Sequence, residues 1–145
     1  MYFIYSLIRG KLIKLFHMNH FIGKGKLYAD KNTHIILGKN SKICINGSLR
    51  LNDNCIVNNG RSSIVRMDDD SRLDIKGNTS FFYGSDIILF KGAHLSVGNT
   101  FINSDAKIRC HKNITIGDDC AISHNITIMD SDAHSLGGHV NIGDV

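Results

Sequence analysis

From Ile114 to Val145 the chain reads ITIGDDCAISHNITIMDSDAHSLGGHVNIGDV, with aliphatic residues at every sixth position, Ile116, Ile122 and Ile128, and mostly small or polar residues around them. The pattern breaks at DSDAH and resumes at Ile142. A period of six matches neither an α-helix, at about 3.6, nor a lone amphipathic strand, at about 2. It predicts short strands joined by tight corners, each strand sending an aliphatic side chain into the middle of a coil, which is the signature of a parallel β-helix.

The same pattern runs upstream in looser form. Leu37, Ile43 and Leu49 are six apart, and Gly47, Gly77, Gly98, Gly117 and Gly143 each follow an aliphatic pair such as Ile43/Ile45, Leu73/Ile75, Leu95/Val97 or Ile114/Ile116. The equivalent positions Ile45, Ile75, Val97, Ile116 and Ile142 are separated by 30, 22, 19 and 26 residues. A coil with three sides of six residues is nearly matched by the 19-residue interval, so the longer intervals are expected to carry loops, at 58–63, 77–85 and 131–141.

Residues 1–22, MYFIYSLIRGKLIKLFHMNHFI, break from this pattern: they are apolar and basic. The longest uncharged run, Met1 to Ile8, falls far short of the roughly 20 residues a membrane span needs. Charges follow the apolar run and no small-residue cleavage site appears, which makes a poor signal peptide. The segment predicts a short helix that either caps the open end of the β-helix or lies on a membrane surface. The chain thus divides into a basic apolar segment, 1–26, and a β-helix, 27–145. The GKG at 23–25 lacks the ending and the following helix of a phosphate loop and reads as a turn.

Composition strengthens the picture. There is no Pro, Glu or Gln, all 13 acidic residues are Asp, and Gly and Asn each number 14. Asp, Asn and Gly favour corners and caps, whereas the missing Glu and Gln are good helix formers. The sequons at Asn46, Asn78, Asn113 and Asn125 are read as corner residues. Residues 1–26 carry five basic and no acidic groups, while 27–145 carry 12 basic and 13 acidic, so the body has no basic excess for a nucleic-acid partner. Cys44, Cys55, Cys110 and Cys120 form no CxxC pair or zinc spacing and are expected to be buried, reduced thiols, with no metal, as in a cytoplasmic protein.

The interruption DSDAHSLGGH holds Asp130, Asp132, His134 and His139. A loop on a rigid scaffold can project a functional group, and an imidazole beside a carboxylate suits general-base work near neutral pH. A solvated turn with a titrating surface histidine fits the same spacing.

The run IGDDCAISHNITIM followed by DSDAHSLGG resembles the hexapeptide-repeat O-acetyltransferases, the group that includes galactoside, maltose and xenobiotic acetyltransferases. The resemblance covers about residues 35–145 and is most specific over 114–143. It implies an all-β, left-handed parallel β-helix, a homotrimer with sites between subunits, and acetyl-CoA as donor. It also implies His134 as the catalytic residue, because in the xenobiotic enzymes the catalytic histidine follows an Ile-Met pair by the same interval as His134 follows Ile128-Met129. Phe101-Ile102-Asn103 matches a Phe-Ala-Asn context in the galactoside enzymes, which gives Asn103 a role in binding the acceptor. Asp132 is expected to orient His134, to bind the acceptor, or to be a structural corner; His124 reads as an outward structural residue and His139 as a loop residue at the subunit interface. The function so implied is transfer of an acetyl group to a sugar hydroxyl in surface-polysaccharide synthesis. The enzyme would be cytoplasmic, with peripheral contact at the inner membrane face through residues 1–22. Family members continue for several coils past the Ile142-Gly143-Asp144 repeat, so the resemblance also implies a chain that stops inside a repeat. The alternative is a truncated, non-catalytic β-helix that acts through self-association or partner binding.

Overall fold

A computed structural model describes residues 2–53 and 60–132. After helix α1 (Tyr2–Phe16) the chain winds through five three-stranded coils. The first holds β1 (Phe21–Ile22), β2 (Lys26–Ala29) and β3 (Thr33–Leu37), and the second β4 (Lys42–Ile45), β5 (Ser48–Asp53) and β6 (Ser63–Met67). The third holds β7 (Arg72–Ile75), β8 (Asn78–Phe82) and β9 (Asp86–Leu89), the fourth β10 (His94–Val97), β11 (Thr100–Ile102) and β12 (Lys107–Cys110). The fifth holds β13 (Asn113–Ile116), β14 (Ala121–Ile122) and β15 (Thr127–Met129). Every strand pairs in parallel with its counterpart one coil away, giving three five-stranded sheets: A (β1-β4-β7-β10-β13), B (β2-β5-β8-β11-β14) and C (β3-β6-β9-β12-β15). This is a parallel β-helix.

The six-residue period has a direct structural meaning. Ile116, Ile122 and Ile128 end up on three different sheets, in β13, β14 and β15, and all three join one core. Across coils, Ile45, Ile75, Val97 and Ile116 stand in register on sheet A, as their spacing predicts; Ile142 lies outside the described residues. Leu73, Ile75, Phe81, Leu89, Leu95, Val97, Ile102 and Ile108 are fully buried in the bore. Each such side chain contributes about 1.5–3 kcal/mol of burial energy, which no single coil can realise without its neighbours.

Corners follow the residue types available. Between sheets A and B, Lys42 to Ser48 and Arg72 to Asn78 each span six positions, and this corner turns at Gly47, Gly77 and Gly98. A Cβ on Gly77 would sit 2.8 Å from Asn99 of the next coil, so the corner column admits only glycine. The longer corners use residues with positive φ, among them Asn40, Asn52, Asp70, Asp105 and Asn125, together with Gly84 and Gly92, and Asp119 does the same between β13 and β14. Their side chains bond along the stack: Asp30 Oδ1 accepts from Asn52 Nδ2 at 3.1 Å, and Asn52 Oδ1 accepts from Ser63 Oγ at 2.8 Å.

One loop expectation is corrected. Residues 77–85 are mostly strand β8, paired with β5 and β11, and the extra length of this coil lies in two corners that are each two residues longer than six, Asn78 to Asp86 and Asp86 to His94. The 58–63 expectation falls on the β5–β6 connection, although Ser63 itself is already in β6. Of 131–141 only Ser131 and Asp132 are described.

Helix α1 lies across the free edge of β2, the last strand of sheet B. Gly10 makes this approach possible, because an added Cβ would overlap the Leu27 carbonyl. Arg9 Nη2 donates to the Thr33 carbonyl at 3.2 Å and Lys14 Nζ to the Gly25 carbonyl at 2.8 Å, so the cations satisfy carbonyls of the first coil. The helix therefore covers the open end. The solenoid itself starts at β1, inside the basic apolar segment.

Candidate functional site

The interruption after β15 has a fixed root. Asp130 Oδ1 accepts from the backbone N–H of His111 at 2.6 Å, and its Oδ2 from those of Lys112 at 2.8 Å and Asn113 at 2.6 Å. Partial burial pushes the Asp130 carboxyl up, but these backbone hydrogen bonds outweigh it and hold the group below the ordinary carboxylate range. Asp69 and Asp118 clamp other corners in the same way, through Lys39 N and Asn99 N. Asp130 is thus a structural clamp that fixes where the loop departs. Ser131, half-buried, and Asp132, exposed, follow. His134 and His139 lie outside the described residues.

Asn103 sits just past β11, at the corner between sheets B and C. Its backbone N–H donates to the Ile122 carbonyl at 2.9 Å and its Oδ1 accepts from Ser104 N at 2.7 Å. Two residues earlier, Phe101 is exposed on the outer face of sheet B and stacks on Phe82 with centroids 5.8 Å apart. Asp132 follows β15, at the corner between sheets C and A. Sheet C therefore separates Asn103 from Asp132 within one chain, and the structure does not bring the two together. His124 is exposed at a corner.

The corner beneath the loop root carries a column of rings that the spacing did not reveal. His111 stacks on Phe90 at 3.9 Å between centroids, and the Arg66 guanidinium lies 5.7 Å from the Phe90 centroid. Beside this corner, His94 Nε2 lies 2.9 Å from Asp74 Oδ2, and Arg72 Nε donates to Asp74 Oδ1 at 2.8 Å. Burial raises the Asp74 carboxyl, but the bonds from Arg72 and His94 prevail and lower it. The signal for this group is the register: Arg72 and His94 are direct partners across sheet A, and Asp74 is the next outward residue of β7. The hydrogen bond to Asp74 holds the imidazole against the sheet.

Among the cysteines, Cys110 is buried in the core, while Cys44 and Cys120 are half-buried, and all three are free thiols. Cys55 lies outside the described residues. Burial, reinforced by the negative charge of Asp130, pushes the Cys110 thiol up to about 11. Among the described residues no group of His, Cys and Asp is placed to hold a metal ion. Comparison of the chain with protein-family models, curated proteins and solved structures finds no match.

Proposed function

We propose that the protein is an acetyl-CoA-dependent O-acetyltransferase that modifies a sugar hydroxyl in surface-polysaccharide synthesis. The observation that carries the reading is the clamped end of the described coils: the parallel β-helix runs to Met129, Asp130 is pinned to the backbone of residues 111–113, and His134 follows four residues on in the sequence. In the proposed step His134 takes the proton of the acceptor hydroxyl as its oxygen attacks the thioester carbonyl; the carbon–sulfur bond breaks, and the coenzyme A sulfur receives the proton. Asn103, beside the exposed Phe101 ring, binds the acceptor: the amide supplies hydrogen bonds and the ring an apolar surface for a sugar face. Asp132 orients His134 or contacts the acceptor. The separation of Asn103 and Asp132 by sheet C favours a site built between copies, and a homotrimer supplies that arrangement.

The test is acetyl transfer from acetyl-CoA to a panel of hexoses and N-acetylhexosamines. The wild-type chain is compared with H134A and N103A, and sedimentation gives the number of copies. The expected loss in H134A is about a hundredfold or more with unchanged circular dichroism, and a smaller loss, mainly in acceptor KM, in N103A. Absence of both acetyl-CoA binding and donor turnover in the wild-type chain would sink the proposal and leave a β-helix that acts by association alone.

A further inference from the structure

Helix α1 carries a broad apolar face outward. Among the helix side chains described, from Ile4 on, Ser6, Gly10 and Ile13 face the solenoid, and Leu7 is half-buried at the margin. Ile4, Tyr5, Ile8, Leu12, Leu15 and Phe16 are exposed, Phe16 by 79% and Leu15 by 63%. At about 100° per residue these six side chains fall within one arc of roughly 120° on the opposite side. A cap that needed only to cover β2 would place its apolar residues against the solenoid and its charges in water.

The exposed charges of residues 4–31 share one sign. Lys11, Lys24, Lys26 and Lys31 are exposed. The first acidic residue, Asp30, is turned inward and buried, where its Oδ1 accepts from Asn32 N at 2.9 Å and Thr33 Oγ1 at 3.1 Å. Arg9 and Lys14, on the two margins between the buried and exposed arcs, are bonded to carbonyls of the first coil and fix the roll of the helix. An apolar arc framed by lysines, with no exposed carboxylate before Asp53, complements a surface that is both apolar and anionic.

We infer that the solenoid docks on an anionic lipid bilayer through the outer face of α1, with Ile4, Ile8, Leu12 and Leu15 entering the headgroup–acyl boundary and Lys11, Lys24 and Lys26 meeting lipid phosphates. The helix is too short and too charged to cross, and no helix among the described residues is long and apolar enough to do so. Because α1 covers the free edge of the first coil, its outer face points along the stack. Docking therefore stands the solenoid on end and holds the loop root at Asp130 four coil steps, about 19 Å, above the first coil, with the thickness of α1 between that coil and the docked surface. This inference does not depend on acetyl transfer.

The experiment is flotation of the full 145-residue chain with vesicles of phosphatidylcholine alone or with about one-third phosphatidylglycerol, at low and high salt. The wild-type chain is expected to float with the anionic vesicles and to lose binding as salt rises. The double variant I8D/L12D, at exposed positions on the outer arc, should bind at least about tenfold more weakly while its circular dichroism and melting stay unchanged. K11E/K24E/K26E should lose the preference for anionic lipid. The inference is overturned if the wild-type chain does not float, if I8D/L12D floats equally well, or if I8D/L12D instead dissociates an oligomer, which would show that a second copy covers the arc.

Discussion

At the scale of single residues, the exposed carboxylate of Asp130 is committed to three backbone N–H groups of the neighbouring coil. Its folded-state pKa lies below the unfolded value, so the stabilisation is present above the ordinary carboxylate range and is lost as pH falls through about 4 toward the folded value. D130N is expected to cost about 1 kcal/mol near neutral pH after allowing for solvent exposure, and to release the loop root. The difference in unfolding free energy between D130N and wild type should shrink at about pH 3, measurable by urea titration at both pH values. Cys110 gives a second residue-scale test. With its thiol at about 11 and its side chain in the core, it should resist N-ethylmaleimide in the native protein near pH 8 and react on unfolding, read by peptide mass mapping.

At the scale of elements, α1 is defined by what it leaves out as well as by what it packs. Gly10 permits backbone-to-backbone approach to Leu27, and the gain in helix propensity from alanine, about 1 kcal/mol, cannot offset an overlap with a carbonyl oxygen. G10A should therefore destabilise helix docking by about 1–3 kcal/mol, seen as faster amide exchange in β2, whose outer edge the helix covers. The strands show the complementary rule. β8 lies where the long interval from Ile75 to Val97 predicts a loop, yet Thr79 and Phe81 are buried in the bore and their strand pairs with coils on both sides. The extra length went into the corners instead.

At the scale of the molecule, stability is that of a stack in which each coil rests on its neighbours. Leu95 is fully buried with coils above and below, whereas Ile122 in the fifth coil is only half-buried against the core. L95A should cost about 2–5 kcal/mol, and I122A clearly less, by chemical denaturation. The same geometry decides which groups can cooperate. Corners on opposite sides of sheet C, bearing Asn103 and Asp132, do not meet in one chain, so a site that uses both requires assembly.

The sequence alone determined the solenoid, its six-residue period, the register of Ile45, Ile75, Val97 and Ile116, and the Asn, Asp and Gly corners, because each follows from local chain geometry repeated along one dimension. The tertiary structure alone decided the meeting of Asp74 with His94, the clamp of Asp130 on residues 111–113, the placement of Asn103 and Asp132 at different corners, and the outward face of α1. Those contacts join residues about one coil apart, and coil length varies from 19 to 30 residues between Ile45 and Ile116, so no fixed spacing could encode them. Which helix face turns inward was likewise decided by tertiary packing, with Gly10 in close approach to the edge strand and a broad apolar arc left outside.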